Sequence, residues 1–120
     1  MKNKGLRQRI SYAWQGIAAA WRNERSFRTQ SIFALVLPFA LLLLHVSAIW
    51  WALCLTLALL VLAAELFNTA LEALTDYLHP EIHPAIKVAK DCAAGAVLVL
   101  SFGAVVVGSI AILVALGFWA

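Results

Sequence analysis

No charged residue occurs between Ser31 and Ala64, and none occurs from Cys92 to Ala120. A bilayer core about 30 Å thick is crossed by roughly 20 residues of helix, so runs of this length admit few folds other than membrane-spanning helices. Ser31 to Ala48 forms a first apolar run, interrupted only by Pro38 and His45. Ala48 to Ala64 forms a second, and its helical pattern continues to about Tyr77. Cys92 to Ala120 forms the third. The link between the first two is confined to the region of His45 to Ser47, so those spans form a tight antiparallel pair. Composition agrees. Hydrophobic residues make up 64% of the chain, against roughly 45–50% in ordinary globular proteins. The charged share is 12%, about half the usual one.

The basic residues set an orientation. Lys2, Lys4, Arg7, Arg9, Arg22, Arg25 and Arg28 precede the first span, and Lys87 and Lys90 lie between the second and third. All nine then fall on one side, which places the N-terminus and the 77–91 loop in the cytoplasm. The net charge of +3 does not suggest nucleic acid as a partner, because these residues flank apolar runs rather than line a polar domain. A cleaved signal peptide does not fit: the basic stretch is too long, and the first run leads directly into another span. Ile10, Trp14, Ile17 and Trp21 recur as one helical stripe, which predicts an amphipathic helix lying in the membrane interface. The expectation is an all-α integral membrane protein forming one domain over residues 1–120. A surface helix spans about 5–25, and membrane spans lie at 28–46, 48–77 (with a cytoplasmic extension) and 85–119. Cys54 and Cys92 lack metal or redox spacing and read as small apolar residues. Ala104/Gly108 and Ala111/Ala115 in the third span allow close helix approach, a weak pointer to oligomerisation.

The chemistry concentrates at the end of the second span. Glu65, Asn68, Glu72 and Asp76 are spaced by three, four and four residues, so a helix puts them on one face. At about 1.5 Å per residue, Glu65 lies roughly 10 Å deeper than Glu72. An ionised group at membrane depth costs on the order of 2.5–3.5 kcal/mol at the bilayer centre, so it marks function and implies a partner. Acids at an interface suit a divalent cation, since magnesium takes one or two carboxylates together with phosphates and waters. Glu24 ends the surface helix on the same side of the membrane, and Lys90-Asp91 opens the third span where a lysine can meet a phosphate. The combination reads as phosphoryl transfer. A carboxylate row also suits a proton or sodium pathway, and a polar seam between helices is the plain structural reading. Soluble-kinase nucleotide motifs are absent. His79 and His83 have a metal-like spacing, but the prolines after each argue for a solvated loop.

At these residues the chain resembles the prokaryotic diacylglycerol kinases. The stretch Glu65-Leu-Phe-Asn68-Thr69-Ala-Leu-Glu72-Ala-Leu-Thr-Asp76 is similar to that family's signature. So are Tyr12-Ala-Trp14-Gln-Gly16, Trp21-Arg-Asn23-Glu24-Arg-Ser-Phe27-Arg28 and Ala89-Lys90-Asp91 with the small residues after it. The resemblance covers about residues 10–105. It implies an ATP- and Mg2+-dependent kinase of the bacterial inner membrane, a homotrimer with sites shared between neighbours. The enzyme would convert diacylglycerol to phosphatidic acid at the cytoplasmic interface. By position, Glu65 would be the general base, and Glu24 and Glu72 would hold the metal. Tyr12, Asn68, Asp76, Glu81, His83, Lys90 and Asp91 would line the nucleotide site. Trp14, Trp21 and Phe27 would face the lipid.

Two positions depart from the family pattern. Gly5 stands where members often have an arginine directed to ATP, with Lys4, Arg7 and Arg9 nearby, and Gln30 stands where some have a second glutamate. The segments 23–28 and 90–97 are similar to the branch that phosphorylates undecaprenol, which makes that lipid alcohol the alternative substrate. An ion-relay subunit is the remote alternative.

Overall fold

The computed structural model describes residues 5–119 and is helical throughout, with no strand among the described residues. Lys2 and Lys4, counted in the orientation argument, lie outside the described residues. Four helices follow in order: α1 (Leu6–Asn23), α2 (Arg25–Leu44), α3 (Ala48–Leu78) and α4 (Pro84–Ala115). The last three are long and apolar enough to cross a membrane. The all-α class with three spans and an amphipathic N-terminal helix is the one observed.

The junctions follow from local chemistry. α1 and α2 meet at a single residue, Glu24, whose φ of -118° and ψ of 107° break the helix. The turn between α2 and α3 is equally short. His45 caps α2 in the left-handed conformation, with φ 55° and ψ 40°, and Ser47 opens α3 with its carbonyl accepting from Trp50 N–H at 3.0 Å. The other hairpin has a longer loop, from His79 to His83. There Pro84 starts α4 at a position where its missing N–H costs nothing, and His83 Nδ1 accepts from the Ala85 N–H at 3.1 Å.

α3 is the central element, packing most extensively on α4 and next on α2. Near the α2–α3 turn, Leu41, Cys54 and Ala111 form a small buried core, with Leu37, Trp50, Trp51 and Val107 against it. Ala111 is therefore spent inside the chain, where its small side chain lets α4 approach. Most large apolar side chains point outward instead, such as Phe33 at 68% exposed, Leu43 at 79% and Phe102 at 71%. In water such a surface would aggregate; in lipid it is the expected exterior. α3 has 31 residues, so it exceeds the roughly 20 that a bilayer requires by about three turns. Its C-terminal turns carry the acidic row.

Candidate functional site

The site forms where the α1–α2 junction meets the acidic face of α3. Because one residue separates α1 from α2, Glu24 is held at the corner. Arg28 fixes that corner from the first turns of α2. Its Nη1 donates to the Trp21 carbonyl at 2.8 Å and to the Arg22 carbonyl at 3.1 Å. Those carbonyls belong to the last turn of α1 and lack partners within the helix, so a guanidinium there satisfies acceptors at the negative end of the helix dipole.

Opposite the corner, α3 presents Glu65, Asn68 and Glu72 on one face. They line a polar cleft of about 510 Å³ together with Glu24, Ser26, Gln30 and Ser101. Ala94, Val97 and Leu98 of α4 form its apolar wall. Among the described residues, no lysine, arginine or histidine lines this cleft. Glu65 is only 4% exposed, and Ser26 Oγ donates to its Oε1 at 2.6 Å. Asn68 Nδ2 donates to Glu72 Oε1 at 3.4 Å, a long hydrogen bond. Asn68 Oδ1 is buried without a partner, as is Ser101 Oγ. An unpaired buried carbonyl oxygen is costly unless something else occupies its lone pairs.

These donors suit a hard cation. Glu24, Glu72 and the unpartnered Asn68 carbonyl all offer oxygen donors, the type a hard divalent cation takes. Among the described residues no three His, Cys, Asp or Glu side chains cluster closely enough to hold a metal alone.

A second pocket lies at the α3–α4 loop, lined by His79, Glu81, His83, Lys87, Lys90 and Asp91 among others. Lys90 Nζ forms an ion pair with Asp76, which joins the end of the acidic row to the start of α4. Lys87 pairs with Asp91 at 2.6 Å, one turn along α4. The polar cleft thus gathers Glu24, Glu65, Asn68 and Glu72, and the loop gathers Glu81, His83, Lys90 and Asp91 with Asp76 bonded to Lys90. His83 also has the local task of capping α4. Tyr12 sits exposed on α1 and lines neither pocket.

A third, apolar groove of about 860 Å³ runs between the amphipathic face of α1 and the sides of α2 and α3. Trp14, Trp21 and Phe27 line it, with Leu59, Leu62 and Leu66 on the α3 side.

Two residues of the polar cleft escaped sequence reasoning. Ser26 carries no local signal, because its contact with Glu65 spans 39 positions. Ser101 did carry one: it and Ser109 are the only hydroxyl residues in the uncharged third run.

Comparison with known proteins gives a consistent answer. The family model described as prokaryotic diacylglycerol kinase matches residues 11–112. A diacylglycerol kinase of Synechocystis sp. is 42% identical over 98 residues, covering 81% of this chain and 56% of that protein. The match therefore spans little more than half of the Synechocystis protein. A diacylglycerol kinase of Escherichia coli is 36% identical over 95 residues, covering 79% of this chain and 78% of that protein. An undecaprenol kinase of Bacillus subtilis is 34% identical over 97 residues, covering 81% and 79%.

Proposed function

The chain belongs to the prokaryotic diacylglycerol kinase family, and from that premise we propose that it is an ATP- and Mg2+-dependent kinase that converts diacylglycerol to phosphatidic acid at the cytoplasmic face of a bacterial inner membrane. That it is a membrane protein of a kinase family follows from the three spans and the relatives. The observation that carries the finer reading is the buried Glu65 in a cleft shared with Glu24, Glu72 and the unpaired Asn68 oxygen.

The chemistry divides by depth. Counting roughly 20 residues from Ala48 puts the bilayer boundary close to Asn68. Glu65 then lies just inside, where a lipid hydroxyl is available, and Glu72 and Asp76 lie outside, where ATP arrives from water. Glu65 takes the proton of the lipid hydroxyl as that oxygen attacks the γ-phosphorus. The new O–P bond forms as the bond to the β-phosphate oxygen breaks, and ADP leaves. A base must stand within about 3 Å of the proton it removes, so the lipid presents its hydroxyl at the depth of Glu65. Glu24, Glu72 and Asn68 would hold the cation, which when bound neutralises charge on the phosphates. Lys90, Asp91, Glu81 and His83 form the wall that receives the nucleotide, with Asp76 orienting Lys90. The groove lined by Trp14, Trp21 and Phe27 suits an acyl chain. Tyr12 finds a role if sites are shared between subunits of a homotrimer, which the family resemblance implies.

Undecaprenol is the second reading for the acceptor. It is favoured by the Bacillus subtilis relative and by the similarity at residues 23–28 and 90–97. An ion relay has no support, because no charged residue lies on α2, α3 or α4 between Glu65 and the α2–α3 turn. The test is phosphate transfer from labelled ATP by the purified protein in mixed micelles, with the two lipids offered separately. Transfer to diacylglycerol in preference to undecaprenol supports the first reading; the reverse preference establishes the second. No transfer to either, with magnesium present and the protein folded, contradicts both.

A further inference from the structure

The hydroxyl of Ser26 meets the carboxylate that the mechanism needs most. Ser26 is the second residue of α2 and lies two positions after Glu24, so the corner that places Glu24 also aims Ser26 across the cleft. Its Oγ to Glu65 Oε1 distance of 2.6 Å falls in the range of about 2.5–2.7 Å typical of a hydroxyl donating to an ionised carboxylate. It is the one hydrogen bond made to Glu65 among the described residues. The other oxygen, Oε2, makes none, yet it is not a sealed, orphaned atom. Glu65 lines the cleft, and Oε2 is its free oxygen among the described residues.

The surroundings explain why a neutral donor suits this place. Among the described residues, the cleft holds two further carboxylates, Glu24 and Glu72, and no cationic side chain. A lysine or arginine bonded to Glu65 would hold it ionised but would compete for the same lone pairs that must take a proton. A serine hydroxyl pins one oxygen, offers a single proton and brings no charge of its own. Glutamate has three side-chain torsions, so without that pin the buried carboxyl samples several directions, and few of them bring Oε2 within reach of a lipid hydroxyl.

We propose that Ser26 is a positioning residue for phosphoryl transfer, holding Oε1 of Glu65 so that Oε2 faces the acceptor hydroxyl. The inference rests on the reading of Glu65 as the base. Ser26 touches neither reacting atom, so its loss acts on turnover rather than on binding of ATP or lipid.

The test is steady-state kinetics of Ser26→Ala, Ser26→Thr and Glu65→Gln in mixed micelles of fixed composition. Ser26→Ala is expected to lower kcat roughly 10- to 100-fold, the scale of a lost hydrogen bond to a charged group. KM for ATP and for the lipid should stay within about twofold. Ser26→Thr keeps the hydroxyl, and because Ser26 is exposed the added methyl has room, so most of the rate should return. Unchanged kcat in Ser26→Ala, with Glu65→Gln inactive, overturns the positioning role and leaves the base intact. Equal losses in Ser26→Ala and Ser26→Thr overturn it too, since the hydroxyl would not be what matters. Full activity in Glu65→Gln would instead remove the base itself.

Discussion

Glu65 and Glu72 are the same residue type on the same helix face, and their surroundings separate them. Glu65 is buried and bonded to a serine, whereas Glu72 is half-buried and shares its oxygen with Asn68. The assignment of Glu24 and Glu72 to the cation makes a direct prediction. Glu24→Gln and Glu72→Gln should each raise the magnesium concentration for half-maximal activity about tenfold or more, the usual scale for disturbing a metal site. Magnesium titrations matching the parent in both variants would rule the assignment out. Asn68→Leu should behave similarly, because it removes the free oxygen and the donor to Glu72 together. The acidic row was readable in the sequence because its three-and-four spacing is a property of one helix. Ser26 was not, because a hydrogen bond between the start of α2 and the middle of α3 leaves no trace in local pattern.

At the scale of elements, the corner between α1 and α2 controls the site. The amphipathic stripe of Ile10, Trp14, Ile17 and Trp21 gave α1, and the onset of the apolar run gave α2. Glu24 was readable as the end of the surface helix; that this one residue alone separates α1 from α2 needed the backbone angles. Arg28 makes the corner rigid by bonding two carbonyls at the end of α1. Arg28→Ala leaves both acceptors without that partner and should cost about 1–3 kcal/mol, seen as a lower melting temperature in detergent. Because Glu24 is then loosely held, the same variant should need more magnesium although it removes no ligand. A melting temperature and a magnesium titration both equal to the parent's would show that Arg28 does not hold the corner. The other short turn offers a control far from the chemistry. His45 adopts positive φ, so His45→Gly relieves about 1–2 kcal/mol of backbone strain while losing the 3.0 Å contact of Nδ1 with the Leu43 carbonyl. Activity should be unchanged, and stability should not fall. A loss of turnover in this variant would mean that the far turn communicates with the site.

For the whole molecule, the apolar excess is spent on the outside. Two uncharged runs were enough to read three spans and an all-helical fold, because lipid forces every backbone group to be satisfied within its own helix. The small residues of α4 were less informative. Ala111 packs in the chain's own core, while Ala104 and Gly108 line an apolar cavity of about 310 Å³ beside α2. The apolar exterior is what lipid requires of a single chain, so the test of assembly rests on Tyr12, which lines neither pocket. The proposed homotrimer with shared sites predicts three copies by native mass measurement in detergent, with Tyr12→Phe altering ATP use through a neighbour's site. A monomeric mass for fully active protein would contradict a shared site.

Single-turnover transfer by Glu65→Gln tests most directly whether the buried glutamate at the membrane edge takes the proton of a lipid hydroxyl. The variant keeps the shape of the side chain and, in amide form, still offers an oxygen to Ser26, so it should fold, assemble and bind ATP with magnesium as the parent does. Transfer to the lipid should fall roughly 10²- to 10⁴-fold, the range assigned to a lost general base. A folded Glu65→Gln protein that transfers phosphate within a few-fold of the parent would mean that Glu65 is not the base and that the proton leaves by another route.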